Sequence, residues 1–261
     1  MKTGLDGRRA LVCGASKGLG YACAKMLCQE GVDVVLLARD AKLLSERVKS
    51  LERYEGEAAY IEADLLDTES LPDVVERAKK IYGGFDILVN NTGGPPSGPN
   101  LSFTREDWER AFRLTFLSAE EITKLLIEEM AARRWGRIIN LTSITVKQPV
   151  EGLILSNSIR MAIIGWAKTL SLEYASKGVT INNIATGYTM TERIDELAKA
   201  RARDTGRGIG DVIREMAANI PMRRMADPSE VASAVVFLAS EAASYITGVT
   251  LPVDGGYIVG M

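Results

Sequence analysis

The chain is 261 residues long, 46% hydrophobic and 25% charged, a composition that suits a globular protein with a sizeable core, built as one large α/β domain or two small ones. Its 32 basic and 34 acidic residues leave a formal net charge of -2 with no clustered Lys/Arg stripe, which argues against a nucleic-acid partner. Histidine is absent, so a Ser-His-Asp hydrolase, an HExxH protease and most zinc enzymes are excluded, and acid–base chemistry falls to Tyr, Lys, Asp, Glu, Ser or a cofactor.

The opening segment, Met1 to Gly7, carries no apolar signal core, and no apolar run approaches the roughly 18 residues that span a bilayer. The expectation is a cytoplasmic protein without a membrane partner. Short apolar, β-branched runs at 10–13, 32–37, 58–61, 87–89, 137–141, 180–184 and 250–253 read as strands buried on both faces. Between them, 19–30, 41–54, 70–81, 105–133, 153–177 and 228–240 have helical spacing. Such alternation predicts right-handed βαβ units and a parallel sheet covered on both sides, within a single domain spanning 1–261. Cys13, Cys23 and Cys28 fall in the first strand and helix without CxxC spacing and read as small buried hydrophobes; no metal site is expected. One segment, 192–219, breaks the rhythm. Rich in Arg, Ala and Gly, it reads as an insertion that serves as a substrate lid.

Chemistry concentrates where the first strand meets the first helix, at Gly14-Ala15-Ser16-Lys17-Gly18-Leu19-Gly20. Glycines suit a tight turn and close backbone approach to a pyrophosphate, and the helix N-terminus presents free N–H groups to it. A nucleotide site is therefore expected. In NAD-selective sites an acidic residue at the end of the second strand holds the ribose hydroxyls. Here that position is Arg39, and Lys17 adds a second cation, which suits a 2′-phosphate and predicts NADP(H) as the preferred cofactor. Asp40, one residue on, keeps NAD(H) in play.

Further motifs lie along most of the chain: Asp64-Leu65, Asn90-Asn91-Thr92-Gly93, Ser143, Pro221-Met222-Arg223-Arg224, DPSEVASAVVFLAS and Val253-Asp254-Gly255-Gly256. With the glycine loop, they resemble the short-chain dehydrogenase/reductase family, most nearly the branch that contains 3-oxoacyl-(acyl carrier protein) reductases. The resemblance implies a doubly wound Rossmann-type three-layer sandwich with a seven-stranded parallel sheet. It also implies hydride transfer between NAD(P)H and a small-molecule carbonyl/alcohol pair, and usually a homotetramer, with a homodimer as the alternative. By the same resemblance Gly14, Ser16, Gly18, Leu19 and Gly20 form the cofactor loop, and Asp64 and Leu65 contact adenine. Asn91 and Gly93 line the adenosine-ribose side. Gly187, Thr189 and Thr191 lie by the nicotinamide amide and the diphosphate.

The catalytic half departs from the family pattern of serine, tyrosine, a lysine four residues on, and an upstream asparagine. Ser143 stands where the serine belongs. Ser156 falls at the tyrosine position, Arg160 at the lysine and Thr115 at the asparagine, while Thr186-Gly187 replaces the usual Pro-Gly. A serine hydroxyl is shorter and far less acidic than a phenol, and an arginine binds ribose hydroxyls without passing a proton on. Lys147 and Tyr188 are candidate replacement proton donors, with Glu151 placed to tune Lys147. Tyr174/Lys177 and Tyr21/Lys25 resemble the missing pair but read as structural. Three functions compete: an NADP(H)-dependent oxidoreductase with an atypical acid–base site; a catalytically silent nucleotide-binding protein acting as a sensor or hetero-oligomer subunit; and a lyase, dehalogenase or epimerase on the same scaffold.

Overall fold

The computed structural model describes residues 3–260. Its seven-stranded parallel sheet runs in the order β3-β2-β1-β4-β5-β6-β7. The strands are β1 (Arg9–Cys13), β2 (Asp33–Ala38), β3 (Ala58–Glu62), β4 (Ile87–Asn90), β5 (Gly136–Leu141), β6 (Val179–Thr186) and β7 (Thr250–Val253). Successive side chains of a strand point to opposite faces, and here both faces are apolar. Ala10 and Val12 join one core layer, with Leu27 and the buried face of a C-terminal helix; Leu11 and Cys13 join the other, with Val75 and Leu126. Each fully buried Leu or Val contributes about 1.5–3 kcal/mol relative to exposure. The order reverses between β1 and β4, where a doubly wound sheet leaves a crevice for a ligand.

The helices are α1 (Gly18–Gln29), α2 (Ala41–Leu51), α3 (Leu71–Tyr82), α4 (Arg105–Phe112), α5 (Ser118–Ala132), α6 (Ile154–Tyr174), α7 (Glu192–Thr205), α8 (Ile209–Ala218) and α9 (Pro228–Ala239). Caps explain several boundaries. Thr104 and Asp107 form a capping box at α4, and Asp227 and Glu230 form another at α9, where Pro228 takes the first position.

Two expectations are corrected. The single helix read over 105–133 is interrupted by a π-turn at Arg113–Leu117, which separates α4 from α5. Widening the turn alters the carbonyl pattern, and the Ser118 hydroxyl donates to the Leu114 carbonyl at 2.6 Å. The segment 192–219, out of the strand–helix rhythm and not read as helical, is a helical pair. Ile194, Ala198 and Ala202 recur every four residues on α7 and pack against Val212 and Met216 of α8, forming a small core of their own. Glu215 of α8 binds both Arg201 and Arg207, closing the pair from outside.

A buried amide ladder ties the C-terminal ends of β4 and β5 to the middle of β6 and the first residue of β7. Asn90 and Asn140 are register partners, as are Asn140 and Asn183, and Asn183 and Thr250. Asn90 donates to Asn140 Oδ1 at 2.9 Å, Asn140 to Asn183 Oδ1 at 2.9 Å, and Asn183 to Thr250 Oγ1 at 3.3 Å. Buried amides are costly unless paired, so the ladder disfavours any other register. The loops after β4 and β5 that line the crevice spring from the ends this ladder fixes.

The two decoy pairs are structural. The Tyr21 hydroxyl is 2.7 Å from Ser50 Oγ, and Lys177 Nζ sits 4.2 Å from the centre of the Tyr174 ring. All three cysteines are buried and unpaired, and burial pushes the Cys13 thiol up to about 12, so it stays protonated. No helix among the described residues is long and apolar enough to cross a membrane.

Candidate active site

The glycine loop turns directly off β1. Gly14 and Gly18 have φ of 58° and 56°, the left-handed region that favours glycine. A Cβ on Gly14 would fall 2.7 Å from Asn91 Nδ2, and one on Gly20 would fall 2.3 Å from the Gly14 carbonyl oxygen. Lys17 caps α1 in an extended conformation with no side-chain cap bond, so the first-turn N–H groups face the crevice as an anion site. Gly14, Ser16, Lys17, Gly18 and Leu19 border the resulting cleft of about 1020 Å³. Gly20 does not; it lets α1 pack beneath Gly14. Asn91 lines the cleft and also braces it, donating to the Cys13 and Gly14 carbonyls at 3.3 and 3.4 Å.

At the far end of the loop lie Arg39 and Asp40. Both are exposed, and both border the cleft. The Asp40 carboxylate accepts from the Leu43 N–H at 2.9 Å and so serves as the N-cap of α2. Asp64 is similarly engaged, accepting from the Leu66 N–H at 3.0 Å, and with Leu65 and Gly93 it lines the same wall. These features form a cradle for a dinucleotide: a glycine turn that a side chain would fill, a free helix N-terminus, and two cations beyond it. Among the described residues no group of three His, Cys, Asp or Glu side chains is placed to hold a metal.

The cleft continues past β5 and β6, where Ser143, Ser156, Arg160, Gly187, Tyr188, Thr189 and Thr191 also border it. Ser143 starts the turn Ile144–Val146, its hydroxyl accepting from the Thr145 N–H at 3.2 Å. Thr145 Oγ1 lies 3.4 Å from Ser156 Oγ, which joins the Ser143 turn to α6 through a third hydroxyl. Ser156 and Arg160 are four residues apart on α6, so both face the cleft, at 9% and 8% exposure. Arg160 donates to the Leu141 carbonyl at 2.9 Å, fixing the guanidinium under the end of β5. Thr115, in the π-turn, is buried with its hydroxyl unpaired among the described residues.

The two candidate proton donors part company. Lys147 is exposed on the rim, follows the turn after Ser143, and is not part of the cleft wall. Glu151 is likewise exposed and outside the wall. Tyr188 lines the cleft, half-buried, and its ring meets Tyr257 edge-on with centroids 5.4 Å apart. Burial, reinforced by Tyr257, pushes its phenol up to about 12. A phenol so raised holds its proton more tightly than an ordinary tyrosine, so it gives that proton up only to an oxygen that has gained nearly full alkoxide charge.

Three features escaped the sequence reading. Tyr257 comes from the C-terminal tail, which is held by Asp254 and reaches across so that the Val259 N–H donates to Gln148 Oε1 at 3.3 Å. Thr145 is two residues from Ser143 and was within reach of a search for hydroxyls on that loop. Lys17 is paired with Glu192, the first residue of α7, at 2.7 Å. The segment after β4, which lines the cleft with Gly94 and Pro95, is tied back where the Gly98 N–H donates to the Gly152 carbonyl at 2.7 Å.

Comparison with known proteins accords with this geometry. A family model described as enoyl-(acyl carrier protein) reductase matches residues 14–258. The oxidoreductase UcpA of Salmonella typhimurium is 34% identical over 259 residues, covering 97% of this chain and 95% of that protein. The 3-oxoacyl-acyl-carrier-protein reductase FabG of Aquifex aeolicus is 30% identical over 259 residues, covering 98% and 99%. The crystal structure of L-sorbose reductase from Gluconobacter frateurii, complexed with NADPH and L-sorbose, superposes with a TM-score of 0.94 at 32% identity, covering both chains fully.

Proposed function

The chain belongs to the short-chain dehydrogenase/reductase family of oxidoreductases, and from that premise we propose that it is an NADP(H)-dependent enzyme that interconverts a carbonyl and an alcohol at a rearranged acid–base site. The observation that carries the reading is continuity: the glycine loop, Arg39 and the Ser143–Ser156–Arg160 cluster border one cleft. NADPH complexes among the structural neighbours support the choice of cofactor.

Bound there, NADPH supplies the hydride. In the proposal the N–H groups of α1 hold the diphosphate, with Thr189 and Thr191 at its nicotinamide end. Lys17 and Arg39 take the 2′-phosphate. Asp40 is already engaged as a helix cap, which leaves NADH the weaker ligand. Asp64 and Leu65 flank the adenine, Asn91 and Gly93 the adenosine ribose, and Gly187 the nicotinamide. Arg160 would hold the nicotinamide ribose hydroxyls and supply a permanent positive charge there. Ser143 and Ser156 donate hydrogen bonds to the substrate carbonyl, polarising it. Tyr188 supplies the proton as oxygen charge develops. Lys147 has no part, because it stands outside the cleft wall.

We further assign the α7–α8 pair as a lid over the substrate end, supported by Ile194 and Leu197 of α7 on the cleft wall. Assembly as a homotetramer or homodimer is supported by the exposed Phe112, Met161 and Leu172 on α4 and α6. A cytoplasmic location completes the proposal.

A second reading, a silent nucleotide-binding protein, is favoured by one observation: neither Ser156 nor Arg160 exchanges a proton readily. Following absorbance at 340 nm with NADPH against a panel of ketones and β-ketoacyl thioesters separates the two. Oxidation of NADPH with any member supports the enzyme. Saturable NADPH binding with no oxidation supports the silent protein, and activity gained with Ser156→Tyr and Arg160→Lys together would strengthen that outcome.

A further inference from the structure

Lys17 and Glu192 meet across the mouth of the cleft from opposite walls. Lys17 caps α1 within the glycine loop, while Glu192 is the first residue of α7. Their charged ends are 2.7 Å apart, with the side chains 54% and 56% exposed. Both residues border the same cleft as Arg39. A carboxylate therefore already occupies the ammonium assigned above to the 2′-phosphate.

We infer that Glu192 is a cofactor-selectivity residue, a counter-charge that competes with the 2′-phosphate of NADP(H) for Lys17 and thereby limits the preference of this protein for NADP(H) over NAD(H). The inference rests on the proposed role of Lys17 at the 2′-phosphate. An ammonium has three donors and can serve two anions, but the carboxylate and the phosphate are then held within a few ångströms of one another and repel. The alternative is displacement of Glu192, which removes an ion pair. Both routes act more strongly against a phosphorylated ribose, because the diphosphate is common to both cofactors whereas the 2′-hydroxyl of NAD(H) adds no charge to be attracted by Lys17 or repelled by Glu192. The pair is half exposed, so the effect is a tuning one: exposed pairs are weak and screened by salt.

The experiment measures binding and needs no substrate. NADPH and NADH are titrated by nicotinamide fluorescence at low ionic strength against the native protein, Glu192→Gln, Lys17→Met, the double variant, and Asp204→Asn. The last removes a charge from the far end of α7, roughly 18 Å along the helix. Glu192→Gln is expected to tighten NADPH by about 3- to 10-fold and NADH by less, raising the NADPH/NADH affinity ratio, with the difference shrinking as salt screens it. In the Lys17→Met background the same substitution is expected to lose most of its effect, and Asp204→Asn is expected to leave the NADPH/NADH ratio unchanged. A purely structural role at the start of α7 would move both cofactors together and leave their ratio intact. An unchanged ratio in Glu192→Gln, or a change that persists without Lys17, overturns the inference while the proposed function stands. A native protein that binds neither cofactor overturns both.

Discussion

Gly20 tests the physical account of the cofactor cradle from a position that never reaches the cleft. In Gly20→Ala the new Cβ would sit 2.3 Å from the Gly14 carbonyl oxygen and 2.8 Å from Asn91 Nδ2, about 1 Å inside normal contact. Neither side can yield. Gly14 is itself backed by the Asn91 carbonyl, and α1 is fixed by Cys23, Ala24 and Leu27, all at 0% exposure. Overpacking of this kind costs about 1–3 kcal/mol, which lowers the melting temperature by roughly 2–10 °C in a domain of this size. The loop that relieves the clash also moves its N–H groups. Loss of one charge-assisted hydrogen bond to a phosphate, about 1.5–3 kcal/mol, weakens NADPH binding by roughly 10- to 100-fold. Gly165→Ala is the matched control. That glycine lies mid-helix in α6 with nothing within 4 Å of its missing Cβ, so the substitution should stabilise by about 0.5–1 kcal/mol and leave binding alone. Thermal melts and NADPH fluorescence titrations of both variants are the assay. Native-like binding and melting in Gly20→Ala would refute the close-packing argument.

Asn140→Ala removes the middle rung of the amide ladder, leaving Asn183 Oδ1 without its donor; urea denaturation should show a loss of about 2–4 kcal/mol, and a loss below about 1 kcal/mol would mean the ladder contributes little. Once a turned-over substrate is in hand, Tyr188→Phe should lower kcat by about 10²- to 10⁴-fold while Lys147→Ala leaves it unchanged, and the opposite pattern would return the proton to the rim lysine. Glu230 is held near 2 by Arg224 and by the α9 cap, below its ordinary 4.5. A carboxylate with a depressed folded-state value stabilises the fold above its ordinary pKa and loses that contribution as pH falls from about 4.5 toward 2. Arg224→Ala should therefore raise the Glu230 titration seen by NMR, lower stability slightly at neutral pH and flatten the acid limb between those values, the two proteins converging as pH falls toward 2.

The sheet was legible because both-face burial writes continuous apolar runs: every strand of the fold lies within two residues of the run that predicted it. The glycine loop was legible for a local reason, since turn, cation and helix start are adjacent in sequence. What failed to show depended on distance or on charge. The α7–α8 pair hides its Ile194/Ala198/Ala202 stripe behind dense Arg and Asp residues, so period gave way to composition. The π-turn at Arg113–Leu117 leaves no mark in a pattern read at 3.6 residues per turn. Tyr257 meets Tyr188, and Glu192 meets Lys17, across separations that no local pattern encodes. Position by position, the family pattern identified Ser156 and Arg160; their joint placement with Thr145 and Ser143 on one wall emerged only in three dimensions.

The central claim is that this cleft holds a phosphorylated nicotinamide dinucleotide, and side-by-side fluorescence titration of the native protein with NADPH and NADH tests it most directly. The account predicts saturable enhancement with NADPH, at a lower Kd than NADH at low ionic strength, weakening as salt is added. Absence of saturation up to roughly 1 mM NADPH, which corresponds to binding weaker than about 4 kcal/mol, or a lower Kd for NADH, would contradict it.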